Sequence, residues 1–100
     1  MVKHIIIWTL KDTFSIEEKK NIKRVAKENL EALVGKIDGL IDLKVQIEFL
    51  STSNGEMMLD STFESFDALK NYATHPAHQA VANEFVRPYT AARSCVDFEI

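Results

Sequence analysis

The chain has 100 residues, a formal net charge of -3, and a composition of 46% hydrophobic and 27% charged residues, which describes one small soluble globular domain. A net negative charge without a basic stripe excludes a nucleic-acid partner. No segment is long enough to span a bilayer, and the short apolar opening has no signal-peptide core or cleavage site, so no membrane partner and a cytoplasmic location are expected.

Residues 3–10 read as a strand rich in β-branched and aromatic side chains. His4, Ile6, Trp8 and Leu10 share one face, and Ile5 and Ile7 the other. A strand apolar on both faces belongs in the middle of a sheet covered on both sides. Ser15-Ile16-Glu17-Glu18 is a capping box that starts a helix at about Ile16. Ile22, Val25, Ala26, Leu30, Leu33 and Val34 then recur at helical spacing as one buried stripe, and Gly35 is the expected stop. The basic residues Lys19, Lys20, Lys23, Arg24 and Lys27 are interleaved with acids, as on a solvated helix face.

From Leu40 to Phe49 the pattern alternates. Ile41, Leu43, Val45, Ile47 and Phe49 face one way and polar residues the other, so this strand lies toward a sheet edge. Residues 51–55 are turn chemistry, with Asn54-Gly55 the strongest part, and the return strand of the hairpin runs from Glu56 to Phe63. Ser65 N-caps a helix to about Ala73, with Phe66, Leu69 and Tyr72 on neighbouring turns. His75-Pro76 interrupts it, because proline disfavours helical geometry in the residue before it and fits the first position of a new helix. A short helix from Pro76 to about Phe85 and a strand from Arg93 to Ile100 complete the chain.

The order is β-α-β-β-α-β. Right-handed crossovers put the first and third strands in the centre of an antiparallel ferredoxin-like sheet. Helices cover one face only. An apolar second face calls for another copy of the chain, so a homodimer with a barrel-like interior is expected.

Tyr72, His75 and His78 concentrate a phenol and two imidazoles within seven residues, groups able to move protons or hold a polar ligand near neutral pH. His78, near the start of the last helix, is kept neutral by the helix dipole and suits a general base. The Tyr72 hydroxyl can donate to a carbonyl or enolate oxygen. His4 approaches both if the helices pack on its face. His75 stands where a side chain commonly satisfies the free amides of a helix start. Trp8 and Phe85 are bulky enough to line or fill a pocket, and with His4 and His75 they are the expected ligand contacts. His75 and His78 are three apart across a proline, a poor spacing for a metal pair. Cys95 is the only cysteine, so neither an intrachain disulfide nor a Cys-based zinc site is expected, which suits a reducing compartment. No metal or other cofactor is expected. There is no Gly-rich phosphate loop and no serine nucleophile elbow. Ser94 and Cys95 have no base beside them in sequence.

Val2-Lys3-His4-Ile5-Ile6-Ile7-Trp8 and the middle segment Thr62-Phe63-Glu64-Ser65-Phe66-Asp67-Ala68-Leu69, leading to Tyr72 and His75-Pro76-Ala77-His78, resemble the stress-responsive A/B barrel (Dabb) family. So do Phe85-Val86-Arg87-Pro88 and the closing residues 96–100. The resemblance spans the chain and implies a ferredoxin-like subunit in a homodimer whose two sheets form a barrel. It also implies a site. In a polyketide-cyclase member from plants, a catalytic Tyr-His pair corresponds to Tyr72 and His78, and a pocket histidine to His4. That cyclase has a further pocket tyrosine on its first helix and a histidine on its third strand. This chain has neither residue type between Ile5 and Asn71.

Two functions remain open from sequence. One is a stress-responsive protein binding a small hydrophobic or carbonyl-containing metabolite between sheet and helices. The other is a cofactor-free cyclase or lyase with His78 as base and Tyr72 as hydroxyl donor.

Overall fold

The computed structural model describes residues 1–100. Strand β1 (Val2–Leu10) leads to helix α1 (Ile16–Glu31). Strands β2 (Leu40–Gln46) and β3 (Met57–Phe63) follow, then helices α2 (Phe66–Thr74) and α3 (Pro76–Val81), a π-helical turn over Ala82–Val86, and strand β4 (Thr90–Glu99). The sheet order is β2-β3-β1-β4 with antiparallel neighbours. As expected, β1 and β3 are central and β2 lies at an edge.

His4, Ile6, Trp8 and Leu10 face the helices and are buried. Ile6 and Trp8 join Leu43, Val45, Met57, Leu59 and Phe63 from the other strands and Ala26, Leu30, Leu69 and Tyr72 from the helices. The opposite face is uncovered in the single chain. Ile7 is 42% exposed, Val96 57% and Phe98 46%. Register explains the grouping, since direct antiparallel partners share a face. Ile7 pairs with Ser94, Ile5 with Val96 and Lys3 with Phe98.

The capping box forms as read: Ser15 Oγ accepts from the Glu18 amide, and the Glu18 carboxylate accepts from the Ser15 amide. The helix stops at Glu31, earlier than Gly35, where the i−4 pattern gives way to tighter turns: the Leu33 and Val34 amides donate to the Leu30 and Glu31 carbonyls, three residues back. Val34 is exposed as a result.

The second strand departs from its expected alternation. Leu40 pairs with Phe63 and Asp42 with Thr62, so Ile41 is an extra residue. It is turned outward, 40% exposed, while Leu40 takes the inward place. The strand ends at Gln46, and residues 47–56 form an irregular connection held to α1 by the Lys23 ammonium on the Ile47 carbonyl and Lys19 on Glu56. Phe49 is thus on the surface. Asn54-Gly55 is not a left-handed turn, because only Gly35 and Gly39 have positive φ. Gly55 instead lets the backbone approach Ile7, whose Cγ2 would lie 2.7 Å from an added Cβ.

Candidate functional site

The site forms where the α2–α3 junction rests on the end of β1. Ser65 Oγ caps α2 by accepting from the Ala68 amide. One helical turn brings Ala68 and Tyr72 onto the same buried face. At the far end His75 takes extended geometry (φ -64°, ψ 134°), and Pro76 begins α3. The break redirects the chain so that His78 folds back over Tyr72. Their ring centroids are 4.2 Å apart at 37°. The His4 ring meets Tyr72 and Phe63 edge-on, each at 6.2 Å. Tyr72, His78 and His4 therefore converge.

The other candidates have different places. His75 caps α3: its Nδ1 accepts from the Ala77 amide at 3.0 Å. Trp8 is buried in the core, four residues beyond His4 and so about 13 Å along the strand. Phe85 lines a separate cavity of about 180 Å³ between α1 and the π-helical turn, with Ile22, Val25 and Tyr89. A wider cleft of about 810 Å³ is also elsewhere. It is an open groove between Lys20, Lys23 and Arg24 of α1 and the 47–56 connection, and none of the convergent aromatic groups lines it.

Electrostatics divides the converging groups into roles. Burial lifts the Tyr72 phenol far above its ordinary value, so it stays protonated and able to donate. Burial also lowers the His78 value, and the nearby cations Arg87 and Arg93 and the His4 ring add to this against a bond to the Ala73 carbonyl. His78 is therefore neutral at pH 7. A carbonyl can only accept, so at 3.2 Å from Ala73 O the His78 Nδ1 carries the hydrogen, leaving Nε2 with a free lone pair. An acid and a base with values pushed apart, side by side, can transfer a proton beside a carbonyl.

His4 has a partner that sequence reading missed. Its Nδ1 lies 2.5 Å from the Asp97 carboxylate, the residue directly opposite on β4. Cys95, two residues back on the same face, has its Sγ 3.7 Å from His4 Nδ1. The chain separation hides both, and only the β1–β4 register reveals them. His4 Nδ1 is no base toward Cys95, because it carries the hydrogen given to Asp97, and burial and the Asp97 charge raise the thiol's value and oppose nucleophilic use. The Tyr72 hydroxyl is engaged by no group of the chain. Tyr72 as a whole is only 2% exposed.

Fold and site define a class: a ferredoxin-like α+β subunit with a phenol–imidazole site at the helix–sheet junction. The sequence matches the Stress responsive A/B Barrel Domain family over residues 2–100, and the chain belongs to that family. It is similar to a dimeric protein of unknown function and ferredoxin-like fold from Bacteroides fragilis. Identity is 34% and the TM-score 0.91, covering 99% of this chain and 95% of that one. A protein from Arabidopsis thaliana is 23% identical with a TM-score of 0.78, covering 100% and 95%. A hydroxynitrile lyase from Passiflora edulis is 18% identical with a TM-score of 0.73, covering 99% and 92%. The last two share the fold. No functionally curated protein matches the sequence. No helix is long and apolar enough to cross a membrane.

Proposed function

We propose that the protein is a homodimer that binds a small hydrophobic metabolite bearing a carbonyl group between β1 and the α2–α3 junction. The convergence of Tyr72, His78 and His4 carries this reading: the His78 ring lies over the Tyr72 ring and the His4 ring meets it edge-on, which brings a phenol donor and an imidazole acceptor to one place, the combination that fixes a ligand's polar end. Similar structures described as dimeric and the apolar outer sheet face support the dimer. A free thiol at Cys95 suits a reducing cytoplasm.

A second reading is supported by the His78 tautomer. Its free Nε2 is suited to a general base, with Tyr72 donating to the developing oxyanion, in a cofactor-free cyclase or lyase-type enzyme. The same fold carries a hydroxynitrile lyase in Passiflora edulis.

Acetophenone serves as a probe for both. Titration followed by NMR is expected to move the His78 and His4 ring signals, and Tyr72→Phe to weaken binding by up to about tenfold, the worth of one hydrogen bond. Shifts confined to residues 47–56, or an unchanged affinity, would reject the binding site. In deuterated buffer, exchange of the probe's methyl protons reports base catalysis. Loss of about a hundredfold or more in His78→Ala is expected of a general base, and an unchanged rate rejects it.

A further inference from the structure

The β1–β4 register brings three metal-ligating side chains of different chemistry together at the sheet edge. His4, Cys95 and Asp97 each offer one ligand atom, and these atoms lie within 4.8 Å of one another. Zinc bond lengths of about 2.3 Å to sulfur and about 2.0–2.1 Å to nitrogen or oxygen give a tetrahedron with edges of about 3.5 Å from sulfur to either other atom and about 3.3 Å between nitrogen and oxygen. The observed Sγ–Nδ1 and Sγ–Oδ1 distances are 3.7 Å and 3.5 Å, so two of the three edges already have the required length. The third, His4 Nδ1 to Asp97 Oδ1, is 2.5 Å and must open by roughly 0.8 Å for that tetrahedron. Asp97 is on an exposed edge strand, and a χ rotation of its side chain provides this movement.

We propose that His4, Cys95 and Asp97 form a zinc-class site, a metal ion taking the place of the proton held between His4 and Asp97. Thiolate, imidazole and carboxylate together select zinc over magnesium or calcium, which take oxygen. Three protein ligands, one from β1 and two from the exposed edge strand β4, leave the fourth position to water or a small ligand, the arrangement of open rather than structural zinc sites. Rigidity comes from β1, where His4 is 7% exposed, and from backbone pairing of His4 with Asp97. Cys95 and Asp97 both face the helix side of the sheet, so the proposed dimer through the opposite face leaves the site accessible. Sequence spacing gave no reason to expect a metal, since 91 and 93 residues separate the partners.

Binding has a consequence for His4. With a metal on Nδ1, the ring carries its hydrogen on Nε2, so its remaining nitrogen is a donor. The proposal depends on neither Tyr72 nor His78, and its test uses no turnover.

The experiment is titration of the reduced protein with cobalt(II), then zinc. One cobalt per chain is expected, with a thiolate-to-cobalt charge-transfer absorption that zinc abolishes by displacement. Cys95→Ser should remove that absorption, and Asp97→Asn should weaken zinc binding by at least about tenfold. Both positions are exposed, so these variants retain the fold, checked by circular dichroism. NMR of the His4 ring nitrogens should show Nδ1 losing its hydrogen and Nε2 carrying one on addition of stoichiometric zinc. Absence of the absorption in the wild type, its persistence in Cys95→Ser, or a His4 ring unchanged by zinc would overturn the proposal.

Discussion

Gly39 determines how closely α2 approaches the sheet, and replacing it should expose that role. Its φ is +86°, and an added Cβ would sit 2.5 Å from Ala68 Cβ and 3.6 Å from Ala68 Cα. Alanine has no flexible end to swing aside, so the helix itself must move. Gly35 is an internal control, since its φ is +88° and an added Cβ meets nothing within 4 Å. Gly35→Ala therefore carries only the cost of a left-handed alanine, about 1–2 kcal/mol, reduced by about 0.4–1 kcal/mol through the less flexible unfolded chain. A net loss of about 1 kcal/mol is expected. Gly39→Ala adds overpacking of about 1–3 kcal/mol, for a total of about 2–4 kcal/mol. Urea unfolding at fixed protein concentration measures both. Adding Ala68→Gly removes the obstructing methyl, so the excess cost at position 39 should disappear in a double-mutant cycle. Equal losses at 35 and 39, or no coupling between 39 and 68, would refute the steric account. The site reports the same event: Tyr72 lies one turn from Ala68, so Gly39→Ala should also weaken acetophenone binding while Gly35→Ala leaves it alone.

Two further outcomes follow from the charges and the open face. The folded His78 lies below its unfolded value of about 6.5, so the unfolded state binds more protons as the pH falls. Stability should therefore decrease as pH drops from about 6.5 through the folded value and be unaffected above that window. The difference between wild type and His78→Gln in urea midpoints should show this slope, and a parallel pair of curves would contradict it. On the outer sheet face, Val96→Lys should raise the dimer dissociation constant by at least about a hundredfold through an unpaired interfacial charge. Ile16→Lys, on a surface helix at a residue 76% exposed, should leave it unchanged; sedimentation showing a wild-type monomer, or no difference between the variants, would remove the sheet-face dimer.

Much of this architecture could be read from local pattern. Caps at Ser15 and Ser65, the doubly apolar first strand and the His75-Pro76 break all act over a few residues, where propensity and hydrogen bonding are decisive. So does the Tyr72–His78 meeting, because both sit beside that break. Failures came where a distant contact overrode local preference. Ile41 alternates correctly in sequence but is displaced by the bulge opposite Phe63 and Thr62. Ile47 and Phe49 continue the strand pattern, yet pairing with β3 ends at Gln46 opposite Met58. Asp97 and Cys95 were invisible because cross-strand neighbours between chain ends follow from register alone, and alternation fixes a face but not which residue stands opposite.

That same register separates two kinds of chemistry around one histidine. On its Nδ1 side His4 meets exposed, hard and soft ligands on the edge strand; its ring edge meets Tyr72 and Phe63 in the core. A neutral imidazole has one hydrogen for its two nitrogens, so what holds Nδ1 decides what Nε2 can offer. In the neutral form of His4, Asp97 accepting from Nδ1 leaves Nε2 as an acceptor. His78, bonded through Nδ1 to Ala73, likewise keeps Nε2 as an acceptor. Between them Tyr72, held protonated by burial, has the hydroxyl hydrogen. Two acceptors and one donor favour a ligand that brings both a carbonyl and a hydroxyl or enol, and a plain ketone should bind more weakly than its β-hydroxy counterpart. Equal affinity for acetophenone and an aryl β-hydroxyketone would mean that the imidazoles are not reading the ligand's donor.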